Sequence, residues 1–173
     1  PGSPVYMDTT EYANGITVVG NYAYVANGNS GLAIIDISDP TNPGTPVYKD
    51  TSGAAIGVTI VGNYAYVADS ASGLAIIDIS DPTSPGNPVY KDTSGNAQGV
   101  TVVGNYAYVG DGASGLAIID ISDPTSPGNP IYNSPLSNSF TSRVAVVGNY
   151  AYLGDGNPGL GIIPLNMGLI EDT

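Results

Sequence analysis

A chain of 173 residues with no cysteine, histidine or tryptophan and a formal charge of −12 can form no disulfide, no thiolate or imidazole metal site and no His-based catalytic centre. Three cations, Lys49, Lys91 and Arg143, stand against 15 carboxylates, a balance that excludes nucleic acid and anionic membrane surfaces as natural partners. The length suits one domain whose parts share a core, and no stretch approaches the roughly 18 apolar residues of a membrane helix.

In chain order, Pro1-Gly2-Ser3 reads as the remnant of a cleaved tag, which leaves 4–173 as a single domain. Residues 5–9 (VYMDT) match the polar strand sequence VYKDT of the later units and predict an outer strand. A β-branched run from Ile16 predicts an inner strand that ends at Gly20-Asn21. The phrase starting there, GNYAYV, returns at Gly62 and Gly104, and as GNYAYL at Gly148, spacings of 42, 42 and 44 residues. A fixed period of this length marks a solenoid, a propeller or an array, whose units must stack before any of them buries an apolar face. It divides the domain into units 4–45, 46–87, 88–129 and 130–173.

The second unit shows the pattern best, and the third differs from it at only five positions, 54/96, 56/98, 60/102, 68/110 and 70/112, a similarity produced by recent duplication or by design. Residues 58–61 are β-branched, and Gly62-Asn63 offers the positive-φ pair of a tight hairpin. Residues 64–68 alternate aromatic and small side chains, so Tyr64 and Tyr66 share one face and Ala65 and Val67 the other. A short Asp-to-Gly loop at 69–73 leads to residues 74–80 (LAIIDIS), apolar on both faces as in a strand covered from both sides. The proline-rich stretch 81–88 cannot be a central strand, and 89–93 (VYKDT) forms a polar outer one. Four antiparallel strands per unit, without any helical apolar period, predict an all-β propeller of four-stranded blades. Tyr22, Tyr24, Tyr64, Tyr66, Tyr106 and Tyr108 are then structural, large side chains packing on the small face of the next blade.

These phrases, YVAD…SGLAIIDISDPTSP, resemble the LVIVD repeat of bacterial and archaeal surface proteins over essentially all of 4–163. The resemblance implies a β-propeller, secreted or displayed at a cell surface, and it carries over no catalytic residue. The last unit departs from the pattern: a longer loop at 133–143 holds Phe140 and Arg143, Pro164 replaces a repeated Asp, and the crossing shrinks to Met167-Gly168.

Residues 5–9 and 169–173 (LIEDT) compete for the place of the closing outer strand. Two chains exchanging strands into one eight-bladed ring is the favoured arrangement, because eight blades need a gentler turn than four. A closed four-bladed monomer and an open fragment of a longer protein are the alternatives.

Among polar residues, Asp36, Asp78 and Asp120 recur inside the third strand, where burial would demand donors from the next blade. Asp69, Asp111 and Asp155, with Asn27 in the first unit, start the loop after the Tyr strand; they are Asx-turn residues and weak candidates for calcium, which needs six to eight oxygens. Asp39, Asp81 and Asp123 precede Pro and initiate turns. Phe140 and Arg143 form a possible binding loop, because an irregular loop on a regular scaffold is where function concentrates. No cofactor is expected, nor a catalytic residue: symmetry spreads identical Asp residues round the ring instead of converging them. The reading is a non-enzymatic structural or interaction module, extracellular, self-associating as a homodimer, with a protein or glycan ligand. An engineered scaffold is its near neighbour, and a carbohydrate-binding propeller using the tyrosines and Asp/Asn loops is the alternative.

Overall fold

The computed structural model describes residues 3–133, 140–156 and 159–165. The Met167-Gly168 crossing, the closing segment 169–173, most of the tag remnant and residues 134–139 of the irregular loop lie outside the described residues.

Four antiparallel sheets follow one another along the chain. The first holds β1 (Gly15–Val19), β2 (Tyr22–Ala26), β3 (Leu32–Asp36) and β4 (Val47–Lys49) in that order. The second repeats it with β5 (Gly57–Val61), β6 (Tyr64–Ala68), β7 (Leu74–Asp78) and β8 (Val89–Lys91). The third has β9 (Gly99–Val103), β10 (Tyr106–Gly110), β11 (Leu116–Asp120) and β12 (Ile131–Asn133). The fourth has three strands among the described residues, β13 (Arg143–Val147), β14 (Tyr150–Gly154) and β15 (Leu160–Pro164). Each four-stranded sheet therefore takes its outer strand from the start of the next sequence unit. The opening segment 5–9 forms no strand, and its Tyr6 is 87% exposed.

The register repeats with the sequence. Tyr24 faces Ile34, Tyr66 faces Ile76 and Tyr108 faces Ile118 across the two central strands of their sheets. At the hairpin Gly62 has a φ of 56° while Asn63 stays at negative φ, so only the glycine of the pair is in the left-handed region, as in a type II′ turn. Ser70 takes a φ of 51°, where the first and third units have Gly28 and Gly112. That backbone strains any side chain with a Cβ, and the Ser-to-Gly difference at 70/112 relieves it.

The core lies between sheets. Tyr24, Leu32 and Ile34 of the first sheet pack on Val58, Ala65, Val67 and Ile77 of the second. Tyr66, Leu74 and Ile76 of the second pack on Val100, Ala107, Val109 and Ile119 of the third. Tyr108, Leu116 and Ile118 meet Val144, Ala151, Leu153 and Ile163 of the fourth. Ala65, Ala107 and Ala151 are fully buried, each in the same cluster as a tyrosine of the preceding sheet, Tyr24, Tyr66 or Tyr108. Polar groups tie the same joints. The hydroxyls of Thr17, Thr59 and Thr101 donate to the carbonyls of Val58, Val100 and Val144 at 2.8, 2.7 and 2.6 Å. Gly28, Ser70 and Gly112 exchange backbone hydrogen bonds with Ala55, Ala97 and Thr141. The inner strands thus neighbour one another in the order β1, β5, β9, β13, and among the described residues β13 makes no comparable return to β1.

Candidate functional site

Two Asp series occupy opposite environments, and the structure assigns them differently from the sequence expectation. Asp36, Asp78 and Asp120 end the third strands and are exposed. Each accepts a 2.8 Å hydrogen bond from the main-chain N–H of Ser38, Ser80 or Ser122 in its own turn, so none reaches into the next blade. That N–H bond, followed by the same serine's hydroxyl, holds the Asp36 and Asp78 carboxyls below the usual carboxylate range. Asp39, Asp81 and Asp123 are likewise lowered, first by the hydroxyl of Thr41, Thr83 or Thr125 and then by its N–H.

Asp69, Asp111 and Asp155, expected from sequence as Asx-turn residues and weak calcium candidates, are fully buried. Asp69 accepts the Thr51 hydroxyl at 2.7 Å and the Gly53 N–H at 2.9 Å. Asp111 accepts Thr93 at 2.6 Å and the Gly95 N–H at 2.8 Å, and Asp155 accepts the Thr141 hydroxyl. Each carboxylate latches the loop of one sheet to the segment arriving from the sheet before it. The two carboxylate oxygens of Asp69 and of Asp111 are spent on these donors, and among the described residues no three acidic side chains are grouped to hold a metal ion. In the first unit Asn27 replaces the Asp; its amide reaches the Thr10 hydroxyl at 3.4 Å and its Oδ1 is buried without a partner.

Burial raises the Asp69 and Asp111 carboxyls; the Thr hydroxyl and Gly N–H oppose it, and the nearby Asp50 or Asp92 adds a little. A raised folded pKa contributes stability that is fully present below the unfolded value of about 3.9 and is lost as pH rises through the folded one. The lowered turn carboxyls do the reverse, losing their contribution as pH falls below about 3.9. Melting temperature should therefore rise from pH 8 to about pH 4.5 and fall again below about pH 3. Circular dichroism melts across that range check it. General charge repulsion acts in the same sense, so the specific test is whether Asp69→Asn with Asp111→Asn flattens the upper limb.

The tyrosines expected to be structural lie between sheets. Tyr24, Tyr66 and Tyr108 are buried, which raises their hydroxyl pKa values, with Tyr22, Tyr64 and Tyr106 beside them adding to the shift. Tyr22, Tyr64 and Tyr106 are half-buried against the same cores. Neither the rings nor the latch carboxylates form an open platform for a sugar.

The side chains that vary from unit to unit do share a surface. Inner strands run away from one rim and Tyr strands run back to it, so the connections 50–56 and 92–98 and the loops 69–73 and 111–115 all lie there. Three of the five positions that distinguish the second and third units, 54/96, 56/98 and 70/112, fall on this rim, whereas 68/110 and 60/102 lie in or against the cores between sheets. Equivalent positions 14, 56, 98 and 142 carry Asn, Ile, Gln and Ser. Arg143 replaces the glycine that starts the other inner strands, and its guanidinium donates to the Gln98 and Ser142 carbonyls, both at 3.0 Å. Those glycines allow the strands to abut: a Cβ on Gly99 would sit 2.7 Å from the Ser142 carbonyl oxygen. A depression of about 290 Å³ opens there among Asn14, Gly15, Ile56, Gly57, Gly99 and Arg143. Phe140 is 47% exposed on the same rim, its ring against Gly112. The structure thus brings Phe140 and Arg143 to the rim where the units differ, a surface that comparing units two and three already outlines.

Stacked antiparallel sheets, joined by tyrosine-on-alanine packing around inner strands, define β-propeller blades. The LVIVD repeat model matches residues 11–47, 52–88, 94–129 and 140–164, and the chain belongs to the LVIVD repeat family. No curated protein sequence matches it significantly. Among solved structures it resembles the computationally designed Ika4 protein, with a TM-score of 0.71 at 8% identity over 92% of this chain and 94% of that one. The designed Ika8 protein follows at TM-score 0.67 and 9% identity over 87% of this chain, and BamB from Moraxella catarrhalis at 0.62 and 18% over 87%. The chain spans 45% of Ika8 and 44% of BamB, less than half the length of either.

Proposed function

We propose that this chain is a non-enzymatic structural and interaction module of the cell surface, working as half of an eight-bladed ring that a second copy completes. The observation that carries the ring is the state of its two end faces. Ile16 and Val18 of β1 are 66% and 55% exposed, whereas Val58, Val100 and Val144 at the Ile16 position are buried. At the other end Leu160 and Ile162 are 67% and 53% exposed, whereas Leu32, Leu74 and Leu116 are fully buried and Ile34, Ile76 and Ile118 nearly so. Terminal repeats that meet water carry polar outer faces. On the first sheet the opening is confined to β1, because Ala23, Val25, Ala33 and Ile35, which share its face with Ile16 and Val18, are already buried; β1 and β15 thus expose positions that are covered at the three joints inside the chain.

The rim is the contact surface for other molecules, because it gathers the side chains that break the repeat: Ile56 and Gln98 at equivalent positions, with Phe140 and Arg143. Extracellular display follows the surface proteins that the repeat resembles. Light scattering behind a sizing column tests the ring. A mass of twice the chain's 17.4 kDa, steady on dilution, is the expected result, and 17.4 kDa at every concentration overturns it.

A further inference from the structure

We propose that residues 5–7 of one copy form the missing outer strand of the fourth blade in the other copy, pairing antiparallel with β15, and that this exchange releases Thr9 to satisfy Asn27 in its own chain. The proposal rests on the two-chain ring and names the contact that closes it.

Three observations converge on this strand. The first is an edge with no neighbour among the described residues: β15 is the outermost described strand of its sheet, while β3, β7 and β11 are each covered by an outer strand. The second is an unused strand. Residues 5–7 (VYM) occupy the unit position of Val47–Lys49 and Val89–Lys91, yet they form no strand, with Val5 52% and Met7 36% exposed. The equivalent segments, VYK and IYN, each pair with the third strand of the sheet before them. The third is the buried Oδ1 of Asn27, which has no partner. Its counterparts Asp69 and Asp111 take a hydroxyl from Thr51 and Thr93, each the second residue after an outer strand. The equivalent residue is Thr9, whose hydroxyl instead donates to the Glu11 carbonyl at 3.1 Å. A buried acceptor without a donor is costly, so any arrangement that brings the Thr9 hydroxyl to Asn27 is favoured.

Outer-strand pairing sets the path of the threonine that follows it, so recruiting residues 5–7 to a sheet edge is what aligns Thr9. The register follows from the other blades. Val47 pairs with Ile34, Tyr48 with Ala33 and Lys49 with Leu32, and the second blade repeats these pairs. Translated to the ends of the chain, Val5 pairs with Ile162 of the second copy, Tyr6 with its Gly161 and Met7 with its Leu160. Val5 then covers the exposed Ile162 as Val47 packs beside Ile34 in the first joint. The first latch differs in one respect. Glu11 stands at the Gly53 position, where a Cβ lies 2.2 Å from the loop carbonyl of Asp69, so the chain leaves the repeat path there. Only the threonine half of the latch survives, and an Asn, which has one acceptor oxygen where Asp has two, fits that reduced demand. Ala145 replaces the donor series Thr17, Thr59 and Thr101, so this joint is held by strand pairing and apolar packing without the hydroxyl-to-carbonyl bond.

Because the chain has no cysteine, a designed pair reports the register directly. Val5→Cys with Ile162→Cys places two thiols opposite each other on one face, within reach of a disulfide. Tyr6→Cys with Ile162→Cys sets them on opposite faces and is the control. The expected result is a disulfide-linked dimer on non-reducing electrophoresis for the first pair and little for the second, with both variants at twice the single-chain mass. Twice the mass with no disulfide in the first pair overturns the strand assignment and leaves the ring standing. A fast-migrating disulfide within one chain at single-chain mass overturns both, and so does single-chain mass with no disulfide.

Discussion

Asp111→Ala should lower stability by about 2–4 kcal/mol, a fall of roughly 5–15 °C in melting midpoint for a domain of this size. The carboxylate is fully buried, and its removal strands the hydroxyl of Thr93, itself buried, and the N–H of Gly95. Each stranded donor costs about 1–3 kcal/mol, and the relief of a carboxylate that burial already disfavours as an anion offsets part of that. Asp111→Asn keeps an acceptor for one donor and should cost about half as much. Asp123→Ala is the contrast. That carboxylate closes its own exposed turn with Thr125, so its loss should leave the midpoint near wild type. Urea or thermal denaturation of the three variants checks the order. Equal losses for Asp111→Ala and Asp123→Ala would mean that the latch does not hold the blades together.

That contrast also marks where the sequence is legible and where it is not. The blades are legible because GNYAYV places a hairpin glycine and the Tyr/Ala alternation in each unit, and period-two alternation leaves only one way for a Tyr face to meet an Ala face. The roles of the two Asp series are not legible from position alone, since both lie at the end of an apolar run. Asp36 stands one residue beyond the covered part of β3, where the turning chain offers the Ser38 N–H and solvent. Asp69 stands where the loop folds inward over residues 51–53, which bring buried donors that need an acceptor. The signal for the second lies in covariation within the chain. In the first three units, where the arriving segment reads Thr-Ser-Gly the loop begins with Asp, and where it reads Thr-Thr-Glu the loop begins with Asn; the fourth keeps Asp155 and takes its hydroxyl from Thr141 instead.

The end faces were hidden for a different reason. Leu160 and Ile162 are the same residue types as Leu116 and Ile118, and no local pattern separates a covered Leu from an open one. Only the count of blades and the order of neighbours make the difference. The opening VYMDT is informative for the same reason, because its match to an outer strand is legible only once the strand order within a blade is known.

Ile162→Asp should split the ring into single chains while leaving each chain folded. Ile162 is 53% exposed within the chain, so its replacement opens no cavity there and the sheet of β13, β14 and β15 keeps its pairing. In the ring it takes the place that Ile34 and Ile76 fill inside, each only 1% exposed. Losing that burial and placing a carboxylate in the joint costs at least about 2–3 kcal/mol. A two-fold ring has two such joints, so association weakens by at least about 4–6 kcal/mol, or roughly 10³- to 10⁴-fold. Light scattering at micromolar concentration should then give the single-chain mass with an unchanged circular dichroism spectrum. Ile76→Asp, the same substitution at an internal joint, should instead unfold the chain, because there both blades belong to one polypeptide and the carboxylate has no route to water. A variant at 162 that stays at twice the chain mass would mean that the two copies meet through some other surface, and the exposed faces of β1 and β15 would then need a different partner.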